Sequence, residues 1–186
     1  GLATTLRSGA MTNSIADIAE ADVLLVTGSN TTETHPVISL QMKKAVRQRG
    51  AQLILLDPRE IELAQFASLH LRHRPGTDVA VINAIAQVIL AEGLQDQDFI
   101  GARCEGFQAY AQALAEWTPE RAEAISGVPA QQIAVAARLY AGARAASIFW
   151  AMGITQHISG TDNVKALANL ALLTGNLGRP GTGLNP

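Results

Sequence analysis

The chain alternates short apolar runs with longer amphipathic stretches, and glycine, proline or a small polar residue stands at most junctions. Val23-Leu24-Leu25-Val26 is the first unbroken apolar run; it stops at Gly28 and gives way to a polar loop through His35. Four consecutive apolar residues, two of them β-branched, suit a strand covered on both faces, as in a parallel sheet. Gly28 permits a tight turn or a positive φ, and Pro36 fixes its own φ where a helix can begin without losing a needed N–H. The spacing predicts a helix over 36–49, with Val37, Leu40, Lys44 and Arg47 on one face and Gly50 as its stop. Gln52-Leu53-Ile54-Leu55-Leu56 is a second buried strand ending at Asp57-Pro58-Arg59, which completes a right-handed βαβ unit.

Residues 1–12, small and polar with two glycines, read as a surface approach to Asn13-Ser14, which suits the N-cap of a short helix over 14–20. Residues 60–66 suit another short helix, and Leu69-His70-Leu71 with His73 alternates like a short edge strand. Thr77 is placed to cap a helix through about 92, with Val79, Ile82, Ile85, Ala86 and Ile89 on one face and Gly93 at its end. From 96 to 142 the pattern stays helical: near 96–103, near 107–116, from Thr118-Pro119-Glu120, and from Pro129 through Tyr140. These segments read as an excursion from the sheet. Ala146–Trp150 is the next buried strand, followed by a polar loop through Gly160, a helix from about Thr161 to Leu173, and a glycine-bearing tail over 175–183 that reads as a flexible connection. The predicted fold is α/β: a Rossmann-like open parallel sheet of about four strands in the order 3-2-1-4, with helices on both faces, forming a single unit over 1–186.

Composition narrows the function classes. A net charge of −2 gives no electrostatic case for nucleic acid or an anionic membrane. No apolar run reaches the length of a membrane span, and the first residues lack the charged-then-apolar order of a signal peptide. Cys104 is the only cysteine, so neither an intrachain disulfide nor a cysteine metal cluster can form. It is read as structural. These features lead to an expected cytoplasmic location, with a periplasmic parent left open.

In the 3-2-1-4 order, the loops after strands 1, 2 and 4 meet at one edge. Gly28 to His35, Asp57 to Arg59, and Met152 to Gln156 then form three walls of one crevice, the place where open α/β sheets bind ligands. An acid at the end of the second strand, Asp57, can accept from ribose hydroxyls, or Asp57-Pro58 is only a strand-ending turn. Arg59 can pair with a phosphate, stack on a base, or stay solvated. No G-x-G-x-x-G or P-loop pattern occurs, which weakens ordinary NAD and P-loop readings. Backbone N–H groups of Ser29 to Thr34 and the start of the 36–49 helix can still hold a pyrophosphate. His35 reads as a packing or capping residue. Pro75-Gly76-Thr77-Asp78 either presents N–H groups to a ligand or forms a simple capped turn. His70, His73 and His157 have no metal-ligand spacing, and no metal site is assigned.

Several of these phrases occur together and in order: Gly9 to Ser14, Gly28-Ser29-Asn30 through His35-Pro36, Asp57-Pro58-Arg59, Arg74 to Asp78, Gly153 to His157, and Leu172 through Gly181. In this the chain resembles, over essentially its whole length, the catalytic (alpha) subunit of molybdopterin-dependent formate dehydrogenases, within the wider molybdopterin oxidoreductase family that also holds nitrate reductases. The resemblance implies an oxidoreductase domain holding one of two molybdopterin guanine dinucleotides (bis-MGD) that chelate molybdenum or tungsten. It implies that Gly28, Ser29, Asn30, Glu33, Thr34 and His35 line the diphosphate, Asp57 and Arg59 the guanosine, Gly76 and Asp78 the guanine side, and Met152, Gly153 and Gln156 the pterin side. Some relatives carry aspartate where Glu33 stands.

In that family the cysteine or selenocysteine on the metal and its neighbouring histidine precede a segment like Gly1–Thr5, and an arginine that positions formate follows one like Gly183–Pro186. The resemblance therefore implies a central domain of a longer subunit, inactive by itself, with no catalytic or metal-ligating residue of its own. Its implied partners are the remaining domains of the subunit, an iron–sulfur electron-transfer subunit and formate. Two other readings stand beside it: a self-contained NAD- or guanine-nucleotide-binding regulatory module, and an inert scaffold in which Asp57 and Arg59 pair with each other.

Overall fold

The computed structural model describes all residues from Gly1 to Pro186. A short helix α1 (Leu2–Leu6) and a 3-10 turn at Ile15–Glu20 lead to β1 (Val23–Thr27), followed by α2 (Thr31–Thr34), α3 (Pro36–Arg49) and β2 (Gln52–Leu56). A second 3-10 turn, Glu62–Phe66, precedes β3 (Leu69–Leu71) and the long α4 (Asp78–Ala91). Four helices follow: α5 (Gln97–Arg103), α6 (Phe107–Leu114), α7 (Pro119–Ser126) and α8 (Ala130–Ala141). The chain ends with β4 (Ala146–Trp150), α9 (Met152–Thr155), α10 (Gly160–Leu173) and β5 (Gly183–Asn185). The sheet has five strands in the order β3-β2-β1-β4-β5, and every pairing is parallel.

Side-chain alternation divides the strands between two cores, as a sheet covered on both faces requires. Leu25, Ile54, Leu56, Ile148 and Trp150 point into the larger core with residues of α4, α8 and α10. Leu24, Val26, Leu53, Leu55 and Phe149 point into the smaller one, with Met42 and Ala45 of α3 and Leu63 of the second 3-10 turn. The expected α/β sheet with helices on both faces is thus found, and the 3-2-1-4 order of its first four strands holds.

The differences lie where local pattern is weakest. The tail is not a flexible connection: residues 181–185 are buried, and β5 adds a fifth strand beside β4. Asn185 Nδ2 donates to Ser147 Oγ (2.8 Å), while Thr12 Oγ1 accepts from the Leu184 N–H (2.9 Å) on the outer edge. Three residues with two glycines nearby carry too little apolar pattern to announce a strand, and the edge forms because partners 30 or more residues away supply the hydrogen bonds. The face of α3 bearing Val37 and Leu40 is the outward one, each more than half exposed; Ser39, Met42 and Ala45 are buried instead. The four helices from 97 to 141 are only partly an excursion, since α7 and α8 pack on α4 and α8 reaches β1 and β3. Residues 152–155 form a helical turn where a loop was expected.

Met42 is fully buried. Met42→Ala should lower the stability read from urea unfolding by about 2–5 kcal/mol, whereas Leu40→Ala should change it by no more than about 0.5 kcal/mol. Equal losses would show that the outward face of α3 is covered. The two tyrosines, Tyr110 and Tyr140, are both pushed by burial well above their ordinary value of 10.0. Because the folded state holds the neutral phenols, its advantage is complete below that value and fades as pH rises above it. Absorbance at alkaline pH should therefore show no phenolate until the chain unfolds, and an ordinary tyrosine titration in the folded chain would contradict the burial.

Candidate functional site

The crevice begins where β1 ends. β1 continues toward β2 on one side and faces β4 on the other, so the loops after β1 and β4 leave in different directions at the sheet's switch point. Gly28, at φ 56°, makes that departure, and the Gly153 N–H donates to its carbonyl at 3.0 Å. The approach is close enough that a Cβ on Gly153 would lie 2.6 Å from Gly28 O, and one on Gly28 2.6 Å from the Gly153 carbonyl carbon. Two residues without side chains are therefore required where the loops separate.

Beyond this contact lies a cavity of about 740 Å³. It brings together twelve of the thirteen residues assigned to a cofactor from sequence, from Gly28 and Ser29 to Met152 and Gly153. The exception is Gln156, whose Nε2 donates instead to Met152 Sδ at 3.4 Å. The sequence pattern does not place His73, Trp150, Ala151, His157 or Pro186 in the wall. Trp150 could have been found from strand register, since it pairs with Thr27 at the same edge. Pro186 could not, because its place depends on β5.

The first wall is a polar turn. Ser29 Oγ and Thr31 Oγ1 share a hydrogen bond at 3.0 Å, and Thr34 Oγ1 donates to the Asn30 carbonyl at 3.0 Å. The N–H groups of Glu33, Thr34 and His35 are already used by the Asn30 and Thr31 carbonyls, which removes Glu33 and Thr34 from the donors expected for an anion. No protein acceptor takes the N–H of Ser29 or Asn30. His35 lies exposed, its Nδ1 2.9 Å from Thr34 Oγ1.

Asp57 forms the second wall at the tip of β2 and is nearly fully buried. Its Oδ1 accepts from the Arg59 backbone N–H at 2.9 Å, a turn that fixes the carboxylate, and its carbonyl accepts from His70 Nε2 at 2.9 Å. The Arg59 guanidinium stands 3.6 Å from Asp57 Oδ1 with about two-thirds of its side chain exposed. That is beyond hydrogen-bond range. The Asp57–Arg59 pairing expected of an inert scaffold is present only as this loose local contact.

Beside the Met152–Gly153 wall, a further wall is the turn from His73 to Asp78. Arg74 fastens it to the end of α7: its N–H donates to the Ser126 carbonyl at 2.8 Å, and its Nη1 to the Ala124 and Ile125 carbonyls at 3.0 Å each. Thr77 does not cap α4 with its side chain; its Oγ1 donates back to the Arg74 carbonyl at 2.6 Å. Within this braced turn, His73 and Asp78 are buried against each other. No group of three or more His, Cys, Asp or Glu side chains is arranged to hold a metal ion. Cys104 lines a separate cavity of about 200 Å³ beside Phe107 and Tyr110, where burial raises its thiol above the ordinary value. No helix is long and apolar enough to cross a membrane.

The molybdopterin oxidoreductase family model matches residues 2–186, and the chain belongs to that family. It is 47% identical over 186 residues to the F420-dependent formate dehydrogenase 2 subunit alpha of Methanococcus maripaludis, covering all of this chain and 27% of that protein. It is 42% identical to formate dehydrogenase H of Escherichia coli, again over all of this chain and 26% of the relative. The chain thus spans about a quarter of the length of these curated relatives. Among solved structures, acetylene hydratase from Pelobacter acetylenicus superposes with a TM-score of 0.84 at 30% identity, over 93% of this chain and 23% of that one.

The glycine contact yields a direct test. Gly153→Ala should lower the thermal midpoint, with a loss of about 1–3 kcal/mol from overpacking. Gly9→Ala, where a Cβ would meet nothing within 4 Å, should leave it nearly unchanged. Similar midpoints for the two variants would mean that the loops after β1 and β4 are not held in contact.

Proposed function

We propose that this chain, as a member of the molybdopterin oxidoreductase family, binds and orients a molybdopterin guanine dinucleotide in the crevice over β1, β2 and β4, as one module of a formate dehydrogenase alpha subunit. The observation that carries the reading is the composition of the walls. One crevice offers unpaired N–H groups at Ser29 and Asn30 for a diphosphate, and buried carboxylates at Asp57 and Asp78 for neutral donors of a nucleoside.

The residues present fit such a group. Asp78 Oδ2 is buried without a hydrogen-bond partner, so the wall lacks a donor that a base edge carries. In the assignment that follows, Asp57 accepts from ribose hydroxyls and Arg59 swings from its loose contact onto the phosphate or base. Gly76 and Asp78 meet the guanine, while Met152 and Gly153 lie along the pterin. Gln156 is left without a direct contact. The chemistry supplied with the bound cofactor is the oxidation of formate to carbon dioxide at molybdenum or tungsten, with the electrons leaving through iron–sulfur clusters. This chain's own residues hold and orient; none is assigned a catalytic role. Formate, the other domains of the subunit and an iron–sulfur electron-transfer subunit are the partners of that assembly.

The likeness to acetylene hydratase supports a cofactor-holding role, because its name denotes a different reaction on the same fold. A nicotinamide module has less support, since the turn after β1 has no G-x-G-x-x-G.

Calorimetric titration with GDP, beside NAD, tests the reading. Saturable GDP binding is expected, weakened roughly tenfold or more in Asp57→Ala as hydrogen bonds to a charged acceptor are lost, with no NAD binding. Binding of NAD without GDP would overturn the assignment.

A further inference from the structure

His73 and Asp78 present a buried polar pair that the fold itself leaves incomplete. Each side chain is 3% exposed, and His73 Nε2 donates to Asp78 Oδ1 at 2.9 Å. The remaining polar atom of each, His73 Nδ1 and Asp78 Oδ2, is buried with no partner. Both residues line the crevice. Buried carboxylate oxygens are costly unless they accept hydrogen bonds, and a carboxylate offers about four acceptor positions, of which His73 takes one. The turn that carries the pair is fixed through Arg74 to the carbonyls of Ala124, Ile125 and Ser126, so relaxation of the backbone is not the remedy.

We propose that His73 is a positioning residue for base selection. Its Nε2–H holds Asp78 Oδ1 and fixes the plane of the carboxylate, so that Asp78 accepts the adjacent ring N–H and exocyclic amine of a guanine edge. Adenine is disfavoured because the atom beside its amine is an acceptor, which meets the carboxylate lone pairs without a proton between them. Hypoxanthine keeps the ring N–H and lacks the amine, and falls between the two. The inference rests on the reading of the crevice as a guanine-dinucleotide site and adds to it the residue that sets the geometry of recognition.

The experiment is an amide NMR titration of the whole chain with GDP, IDP and ADP, carried into the millimolar range so that weak binding is measured. The order GDP tighter than IDP tighter than ADP is expected. His73→Phe, which keeps a ring and removes the donor, should weaken GDP roughly tenfold or more and leave ADP nearly unchanged. His73→Gln, whose Nε2 can reach the same point and donate, should restore the preference. Asp57→Ala should weaken GDP and ADP alike. His73→Leu replaces His73→Phe if the amide spectrum of the latter shows loss of the fold. Equal weakening of GDP and ADP in the donorless variant, without rescue by glutamine, overturns the positioning role while leaving the crevice assignment in place. So does an unchanged GDP preference in that variant. Absence of saturable shifts with every nucleotide in the unmodified chain overturns the crevice assignment and this inference with it.

Discussion

Strand β1 carries two constraints at once. Its backbone pairs with β2 on one side and β4 on the other, and its side chains feed both cores, Leu25 into one and Leu24 and Val26 into the other. A slip of one residue would exchange the two sets and disturb both cores together. Because the register of β1 is fixed, Thr27 stands level with Leu56 and Trp150, and the loops that follow these three residues start from one edge. The crevice is a consequence of that alignment.

What the alignment leaves open is how closely those loops approach, and here the glycine pair decides. Gly28 and Gly153 bring backbone against backbone, with a hydrogen bond between them, before the chains separate to either side. Space for a ligand and a tight seam between loops are ordinarily opposed demands. Confining the contact to two residues without side chains meets both, and Asn163 Nδ2 secures the far side by donating to the Ile154 carbonyl at 3.0 Å.

The helices between β3 and β4 have a part in the site that their sequence does not suggest. Through Arg74, the end of α7 braces the turn from His73 to Asp78, so a wall of the crevice leans on a segment well removed from it in sequence. A polar pair can stay buried and incomplete only where the backbone cannot rearrange to complete it. The same fold is found in an acetylene hydratase, while among the relatives named above the chain's sequence is most similar to formate dehydrogenase alpha subunits, so the sheet by itself does not choose the reaction.

The sequence alone determined the elements with strong period or clear punctuation. β1, β2 and β4 are continuous apolar runs, and α3 begins at Pro36 and stops at Gly50, signals that act within a few residues and need no tertiary partner. The order 3-2-1-4 followed from connection rules, and with it the grouping of Gly28, Asp57 and Met152 at one edge. The tertiary structure decided the rest. The buried face of α3 depends on which side meets the sheet, which one helix's spacing could not say when Val37 and Leu40 also formed a stripe. β5 exists because Ser147 and Thr12 supply partners for a segment with little strand pattern of its own. Gln156 turns away onto Met152, and His73, unremarkable as one histidine among four, joins the site because a braced turn sets it against Asp78. Such placements arise from contacts between segments distant along the chain, and no local pattern of residues encodes them.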